Sequence, residues 1–281
     1  MKIIILINCP DQKGIISSVT GFIHAHKGNI VYLDQHVDKT ANVFFMRLES
    51  DFETVDLAVL QKNFESQLAR KYKMQWSLHT DSKRPKMALF VSKYNHCLYD
   101  LLSRFHSGEL PVEIPFILSN HPDLKYVADQ FDIPYYHVPL SKENRDASEN
   151  RQVELLRKYQ VDFIVLARYM QIVSPKLINL YPDKIINIHH SFLPAFAGAK
   201  PYHAAFERGV KIIGATSHYV TEELDAGPII EQDVTPVSHM HSISDFISKG
   251  RDLEKIVLSK AVKLHVLRKT MVYNNKTVIF S

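Results

Sequence analysis

Apolar and polar positions follow two different rhythms along the chain, and the change comes near residue 80. KIIILIN (2–8) is a short β-branched run that reads as a strand. Asp11 and Gly14 mark a turn, and Ile16, Val19, Phe22, Ile23 and His26 then recur at helical spacing until Gly28 stops the run. IVYLDQHV (30–37) and NVFFMRLES (42–50) flank DKTA, which predicts a hairpin. Leu57, Leu60, Phe64, Leu68 and Tyr72 predict a second amphipathic helix, and MQWSLH (74–79) a last strand. The order βαββαβ is that of a split ferredoxin-like unit.

DSKRPK (81–86) is polar, charged and rich in linker signals. Beyond it MALFVS, EIPFILS, YYHVPL, DFIVLA and IINIHH read as strands. Helices are expected between them near 95–107, 122–131, 147–159 and 175–180. That alternation predicts a mostly parallel sheet with helices on both faces. GATSHYV (214–220) and PIIEQDVTPV (228–237) add a strand pair, a long helix is expected near 242–271, and MVYNNKTVIF closes as a hairpin about an Asn-Asn turn. The expected class is α/β, with a ferredoxin-like domain at 1–80, a linker at 81–86 and a Rossmann-like domain at 87–281.

Composition narrows the function classes. The 281 residues are 46% hydrophobic and 23% charged, enough for two apolar cores. No apolar run reaches the roughly 18 residues needed to span a bilayer, so no membrane partner is expected. MKIIILINCPDQKG lacks a small-residue cleavage site and reads as a first strand, not a signal peptide. The net charge of +4 is scattered apart from ARKYKMQW and DSKRPK, which argues against a nucleic-acid partner. Cys9 and Cys97 lie far apart, so the expected setting is a reducing cytoplasm without a disulfide framework.

Candidate chemistry sits in INIHHSFLP (186–194). Alternation along the strand puts Asn187 and His189 on one face, about 6.6 Å apart. His190 should point the other way, so a metal site from the His189–His190 pair is not expected. The position is the C-terminal end of a parallel strand, where ligands bind in open α/β sheets. A strand-end pair satisfied by backbone groups would look the same in this stretch alone. In TSHYVTEELDAGPII (216–230), Asp225 stands just before Ala-Gly-Pro, either as a functional carboxylate or as a turn opener.

Taken together, NIHHSFLP followed later by LDAGPII resembles the motif Asn-x-His-x-Ser-x-Leu-Pro with a later Asp-x-Gly of the formyltetrahydrofolate-dependent formyltransferases. LARYMQIVSP (166–175) resembles that family's folate-pocket segment, and the likeness spans roughly 86–281. CPDQKGI and GNI in the N-terminal unit resemble an ACT domain, a regulatory module that binds amino acids between copies. The resemblance implies catalytic roles for Asn187, His189, Asp225 and His218. It implies a folate pocket lined by Met170, Ile172 and Val173 under a loop of Glu222, Glu223 and Leu224. It places an amino-acid effector near Asp11, Gly14, Asn29 and Ile30, with homo-oligomers as the expected assembly. The implied substrate is 10-formyltetrahydrofolate, with no tightly bound cofactor and no metal.

One departure bears on the acceptor. Where phosphate-binding members carry a Gly-rich loop after their first strand, this chain has VSKYNHCLYDLL (91–102), without a glycine. Water is then the expected nucleophile, as in the deformylating branch of the family. The implied outcome is release of formate and tetrahydrofolate, balancing one-carbon folate pools for purine biosynthesis under ACT control. The alternatives are transfer to an unusual amine acceptor, or a sensor of folate or amino acids without turnover.

Overall fold

The computed structural model describes residues 1–194 and 201–281. It divides into one unit of Met1–Arg84 with Arg268–Met271 and Val278–Ser281, and a second of Pro85–Leu267 with Val272–Thr277.

In the first unit, β1 (Lys2–Pro10) leads to α1 (Ile15–Ala25), β2 (Asn29–Asp38) and β3 (Val43–Asp51). Then come α2 (Leu57–Phe64), a π-turn over Glu65–Ala69, α3 (Arg70–Tyr72) and β4 (Gln75–Thr80). The helix expected over 57–72 is therefore interrupted by one wide turn. The antiparallel sheet has the order β2-β3-β1-β4. Alternation sends Ile3, Ile5 and Ile7 of β1 inward with Phe44, Met46 and Leu48 of β3, against Val19, Phe22, Phe64 and Leu68 of the helices. Asp56 caps α2 by accepting from the Ala58 and Val59 N–H groups.

The second unit runs β5 (Met87–Val91), α4 (His96–His106), β6 (Ile117–Ser119), α5 (Lys125–Gln130), β7 (Tyr135–His137), α6 (Arg145–Tyr159), β8 (Phe163–Leu166), α7 (Pro175–Leu180) and β9 (Ile185–His189). It continues through α8 (Pro201–Arg208), β10 (Ile212–Tyr219), β11 (Ile229–Pro236) and α9 (Ile243–Val266). The sheet order is β11-β10-β9-β8-β5-β6-β7. Strands β5 to β9 pair in parallel, and β10 and β11 extend the sheet antiparallel. Met87, Leu89 and Val91 pack with residues of α4 and α9 on one face. Ala88 and Phe90 pack with residues of α6 and α7 on the other. Burial on both faces explains why these strands read as continuous apolar runs. The chain runs outward from β5 to β6 and β7, then crosses back to the other side of β5 for β8 and β9. The strand order reverses between β5 and β8, which opens a crevice at their carboxyl ends.

Two expectations change at the C-terminal end. The long helix stops at Val266 because Arg268 adopts a left-handed φ of 55°, and Thr270 already begins β12 (Thr270–Tyr273). β12 pairs with β13 (Lys276–Ile279) about Asn274 and Asn275, both at positive φ. The tail residues Arg268–Met271 and Val278–Ser281 group with the N-terminal unit, not with the domain at 87–281. The reason is non-local: buried Arg47 donates from Nε to the Arg268 carbonyl at 3.0 Å, and the Tyr32 hydroxyl donates to the Ser281 carbonyl. Helix α8 was not anticipated by the hydrophobic pattern.

Candidate active site

A cavity of about 470 Å³ lies at the carboxyl ends of β8 and β9. Asn187, His189, His218 and Asp225 all border it, brought there by three separate elements. Asn187 and His189 come from β9. His218 lies directly opposite Asn187 across the antiparallel β9–β10 pair, which places both on one face of the sheet. A register shift between Ser217 and His218 on the β11 side marks a bulge at this position. The segment after β9 is tied down by buried Thr216, whose Oγ1 accepts from the Leu193 N–H at 3.0 Å and donates to the Ser191 carbonyl at 2.9 Å.

Asp225 reaches the cavity from the loop between β10 and β11. Its φ is 55°, a left-handed conformation that short polar side chains tolerate better than most. The loop doubles back so tightly that a Cβ on Gly227 would lie 1.8 Å from the Tyr219 carbonyl oxygen. Only glycine fits there, so the DAG sequence serves the backbone as well as the carboxylate.

The polar groups form one chain of contacts. Asp225 Oδ2 lies 3.2 Å from His189 Nδ1, and Oδ1 lies 3.6 Å from His218 Nε2. Asn187 Nδ2 is 3.3 Å from His218 Nε2, while His218 Nδ1 faces the Tyr219 carbonyl at 2.9 Å. A ring nitrogen facing a carbonyl carries the proton, so His218 donates from Nδ1 and accepts at Nε2 from the Asn187 amide. The same logic makes His189 Nδ1 a donor to Asp225. Its Nε2 is buried and has no hydrogen-bond partner among the described residues. The hydrogen bond from His189 Nδ1 is the main cause that holds the Asp225 carboxyl far below the usual carboxylate range, against the opposing effect of burial.

Met170, Ile172, Val173, Glu222 and Leu224 also border the cavity, whereas Glu223 does not. The Glu223 side chain is exposed, and its carbonyl accepts from the Thr221 hydroxyl at 3.0 Å within the loop. Met170, Ile172 and Leu224 are all exposed apolar side chains around one opening, an arrangement suited to covering a flat apolar ligand. The Met170 N–H is already engaged by Ser92 Oγ at 2.9 Å, which leaves that backbone group unfree for a ligand.

His190 departs from the expectation. It lies beyond the last residue of β9, where strand alternation no longer applies, and borders the same cavity as His189 with ring centroids 5.3 Å apart. Burial, reinforced by the nearby Arg168 charge, lowers its pKa to about 4. Arg168 and Glu254 are further residues that sequence reasoning missed. Arg168 follows the apolar run of β8, and Glu254 is a lone acid on the buried face of α9. Neither stood out in the sequence: Arg168 is a single charge at a strand end, and Glu254 stands beside Arg251, Asp252 and Lys255. His96 Nε2 and the Tyr202 hydroxyl each donate to one oxygen of Glu254, at 2.8 and 2.6 Å. Burial works to raise the Glu254 carboxyl, but the His96 hydrogen bond and the Arg168 charge leave it lowered. His96, Cys97 and Glu254 present ligand atoms within 4.8 Å of one another. With both carboxylate oxygens engaged and Arg168 Nε 3.4 Å from Oε2, the group is better suited to ion pairing than to holding a cation. Cys97 is fully buried, and burial pushes its thiol well up.

In the N-terminal unit, Gly14 sits at φ 93° before α1, and the Tyr72 hydroxyl donates to its carbonyl at 3.5 Å. Asp11 follows Pro10, which pairs with Val43 at one end of β3, whereas Asn29 pairs with Asp51 at the other. Asp11 and Gly14 are therefore about 26 Å along the sheet from Asn29 and Ile30, and the two pairs do not meet within one chain.

The C-terminal unit is that of a formyl transferase, and the model of that family matches residues 85–262, while the ACT domain model matches 3–62. A formyltetrahydrofolate deformylase of Synechocystis sp. is 50% identical over 278 residues, covering 99% of this chain and 98% of the relative. One from Bacillus subtilis is 45% identical, covering 99% and 93%. The crystal structure of a formyltetrahydrofolate deformylase from Pseudomonas syringae pv. tomato superposes with a TM-score of 0.97 at 45% identity, covering 100% of this chain and 95% of that one. The chain belongs to the formyltetrahydrofolate deformylase family.

Proposed function

We propose that this chain hydrolyses 10-formyltetrahydrofolate to formate and tetrahydrofolate, with the cavity at β8 and β9 as its active site. The observation that carries this reading is the buried, unpartnered Nε2 of His189, with Nδ1 committed to Asp225. An imidazole held in this tautomer offers a lone pair to one water. The water oxygen attacks the formyl carbon as His189 takes a proton. The Asn187 amide has a second N–H for the developing oxyanion, because its first is spent on His218. His218 is then a positioning residue that fixes which end of the Asn187 amide faces the substrate. Collapse of the tetrahedral species breaks the C–N10 bond, and imidazolium returns the proton to N10. Asp225 stays ionised throughout and stabilises that imidazolium. The folate ring lies against Met170, Ile172, Val173 and Leu224. The reaction calls for no bound cofactor beyond the substrate and water.

The start of α4 supports water over an amine acceptor that carries a phosphate. Ser92 Oγ donates to Asn120 Oδ1 at 2.6 Å and His96 pairs with Glu254, so side chains occupy the ground that bare backbone N–H groups would need. The test is incubation with 10-formyltetrahydrofolate, with and without glycinamide ribonucleotide. Formate release without any amine is the expected result. Formylation of the nucleotide at a comparable rate, seen by mass spectrometry, would refute it.

The same reading assigns the N-terminal unit to regulation of this activity, in the supply of formate and tetrahydrofolate for purine biosynthesis. Strand β2 is a sheet edge, paired among the described residues with β3 alone. Antiparallel pairing of two β2 edges about a twofold axis would carry Asn29 and Ile30 of one copy to the sheet end that holds Asp11 and Gly14 of the other. A free amino acid bridging those groups would be an effector shared by two chains. Among the described residues, no helix is long and apolar enough to cross a membrane, and both buried cysteines are free, which suits a cytoplasmic enzyme.

A further inference from the structure

A second, polar cavity of about 270 Å³ adjoins the active-site cavity. The two share Arg168 and His190, and the second is bordered also by Tyr94, His96, Arg251 and Glu254. Arg168 is 8% exposed and holds φ at 63°, a backbone conformation that favours glycine. Among the described residues its guanidinium makes no hydrogen bond: Nε is buried without a partner, and the approach to Glu254 is a 3.4 Å ion pair. Glu254 cannot serve it better, because His96 and Tyr202 already donate to its oxygens. Arg168 and exposed Arg251 both lie against the Tyr94 ring, 5.1 and 5.7 Å from its centroid. Two guanidinium groups therefore converge on one polar cavity that holds a single carboxylate.

Buried donors left unused are costly, and a planar guanidinium fork matches a carboxylate in shape and charge. The hydrolysis makes one small carboxylate. Water's oxygen ends on the formyl carbon, one of its protons ends on N10, and the other leaves to solvent, so the product at this pH range is formate anion. While the pteridine fills the larger cavity, that anion needs another way out and the next water another way in. We propose that Arg168 binds the formate product and that the polar cavity is its release route. The inference rests on the hydrolytic reading above and adds to it a product site and its ligand.

The test uses the full-length chain without turnover. [¹³C]Formate is titrated by NMR line broadening in the presence and absence of saturating tetrahydrofolate. Formate should bind with tetrahydrofolate still in place. Arg168→Gln should weaken formate by about tenfold or more, the loss expected for charge-assisted hydrogen bonds. Arg168→Lys should recover part of the binding. Exposed Arg251→Gln provides a variant with little risk to folding, and it too should weaken formate. Formate binding unchanged in both glutamine variants, or strict competition between formate and tetrahydrofolate, overturns the proposal. So does displacement of formate by equimolar inorganic phosphate, which would mark an adventitious anion site only. Hydrolysis measured separately decides the underlying reading: turnover without a formate site leaves that reading standing and removes this one.

Discussion

His190 should remain neutral far below the pH at which an ordinary histidine protonates, and the protein should lose stability for that reason. The ring is 8% exposed. Burial is the main cause of its lowered pKa, and the Arg168 and His189 charges add to it, while Glu254 and Asp225 oppose it. The native value of about 4 lies below the usual 6.5, a gap worth about 3 kcal/mol at about 1.36 kcal/mol per pKa unit. The sign follows from linkage. The unfolded chain binds a proton at this position below about pH 6.5, and the folded chain does not until about pH 4. Stability is therefore complete above about 6.5 and falls progressively down to about 4, beyond which this residue adds no further loss. Against a total of roughly 5–15 kcal/mol for a typical domain, that is a large share. The measurement pairs wild type with His190→Gln. Urea unfolding by far-UV circular dichroism is followed from pH 7 to pH 4, since the single tryptophan, Trp76, reports the N-terminal unit alone. The buffer should contain no carboxylate, which would compete for Arg168. Wild type should lose about 3 kcal/mol more than the variant across that range. The Cε1–H resonance absent from His190→Gln should titrate near 4. A resonance titrating near 6.5, or identical pH dependence in the two proteins, would refute the argument.

Asn187→Ala, His189→Ala and Asp225→Ala should each lower turnover by about 100–1,000-fold while tetrahydrofolate still binds, and any pair should cost little more than its worse member. Additive losses in steady-state assays would mean that the three do not act as one unit. Gly227→Ala should reduce both stability and turnover, because its Cβ would meet the Tyr219 carbonyl at 1.8 Å and the Asp225 loop must shift. Gly21→Ala, with nothing within 4 Å on the exposed face of α1, should instead stabilise by about 0.5–1 kcal/mol in thermal unfolding. Asp11→Ala and Asn29→Ala should each abolish the response of formate release to free amino acids, and mixed dimers of the two variants should regain part of it. No recovery in the mixture would mean that the effector residues do not come from two chains.

Much of the architecture was legible in local pattern. Strand alternation and helical spacing depend on neighbours within a few residues, so β1 to β4, the parallel strands β5, β8 and β9, and the placement of Asn187 and His189 on one face could be read directly. Gly227 could be singled out as part of the DAG motif, but not its contact with Tyr219. Contacts between distant segments were not legible. His218 meets Asn187 only because β10 pairs antiparallel with β9, and Asp225 reaches His189 only because a loop doubles back at Gly227. His190 joins the cavity because the strand ends one residue before it, an end set by tertiary pairing and not by composition. Arg168 and Glu254 carry no periodic signal at all. Their charges become informative only once packing of α9 against the sheet removes both from water, since the cost of an unsatisfied charge depends on burial that no single segment determines.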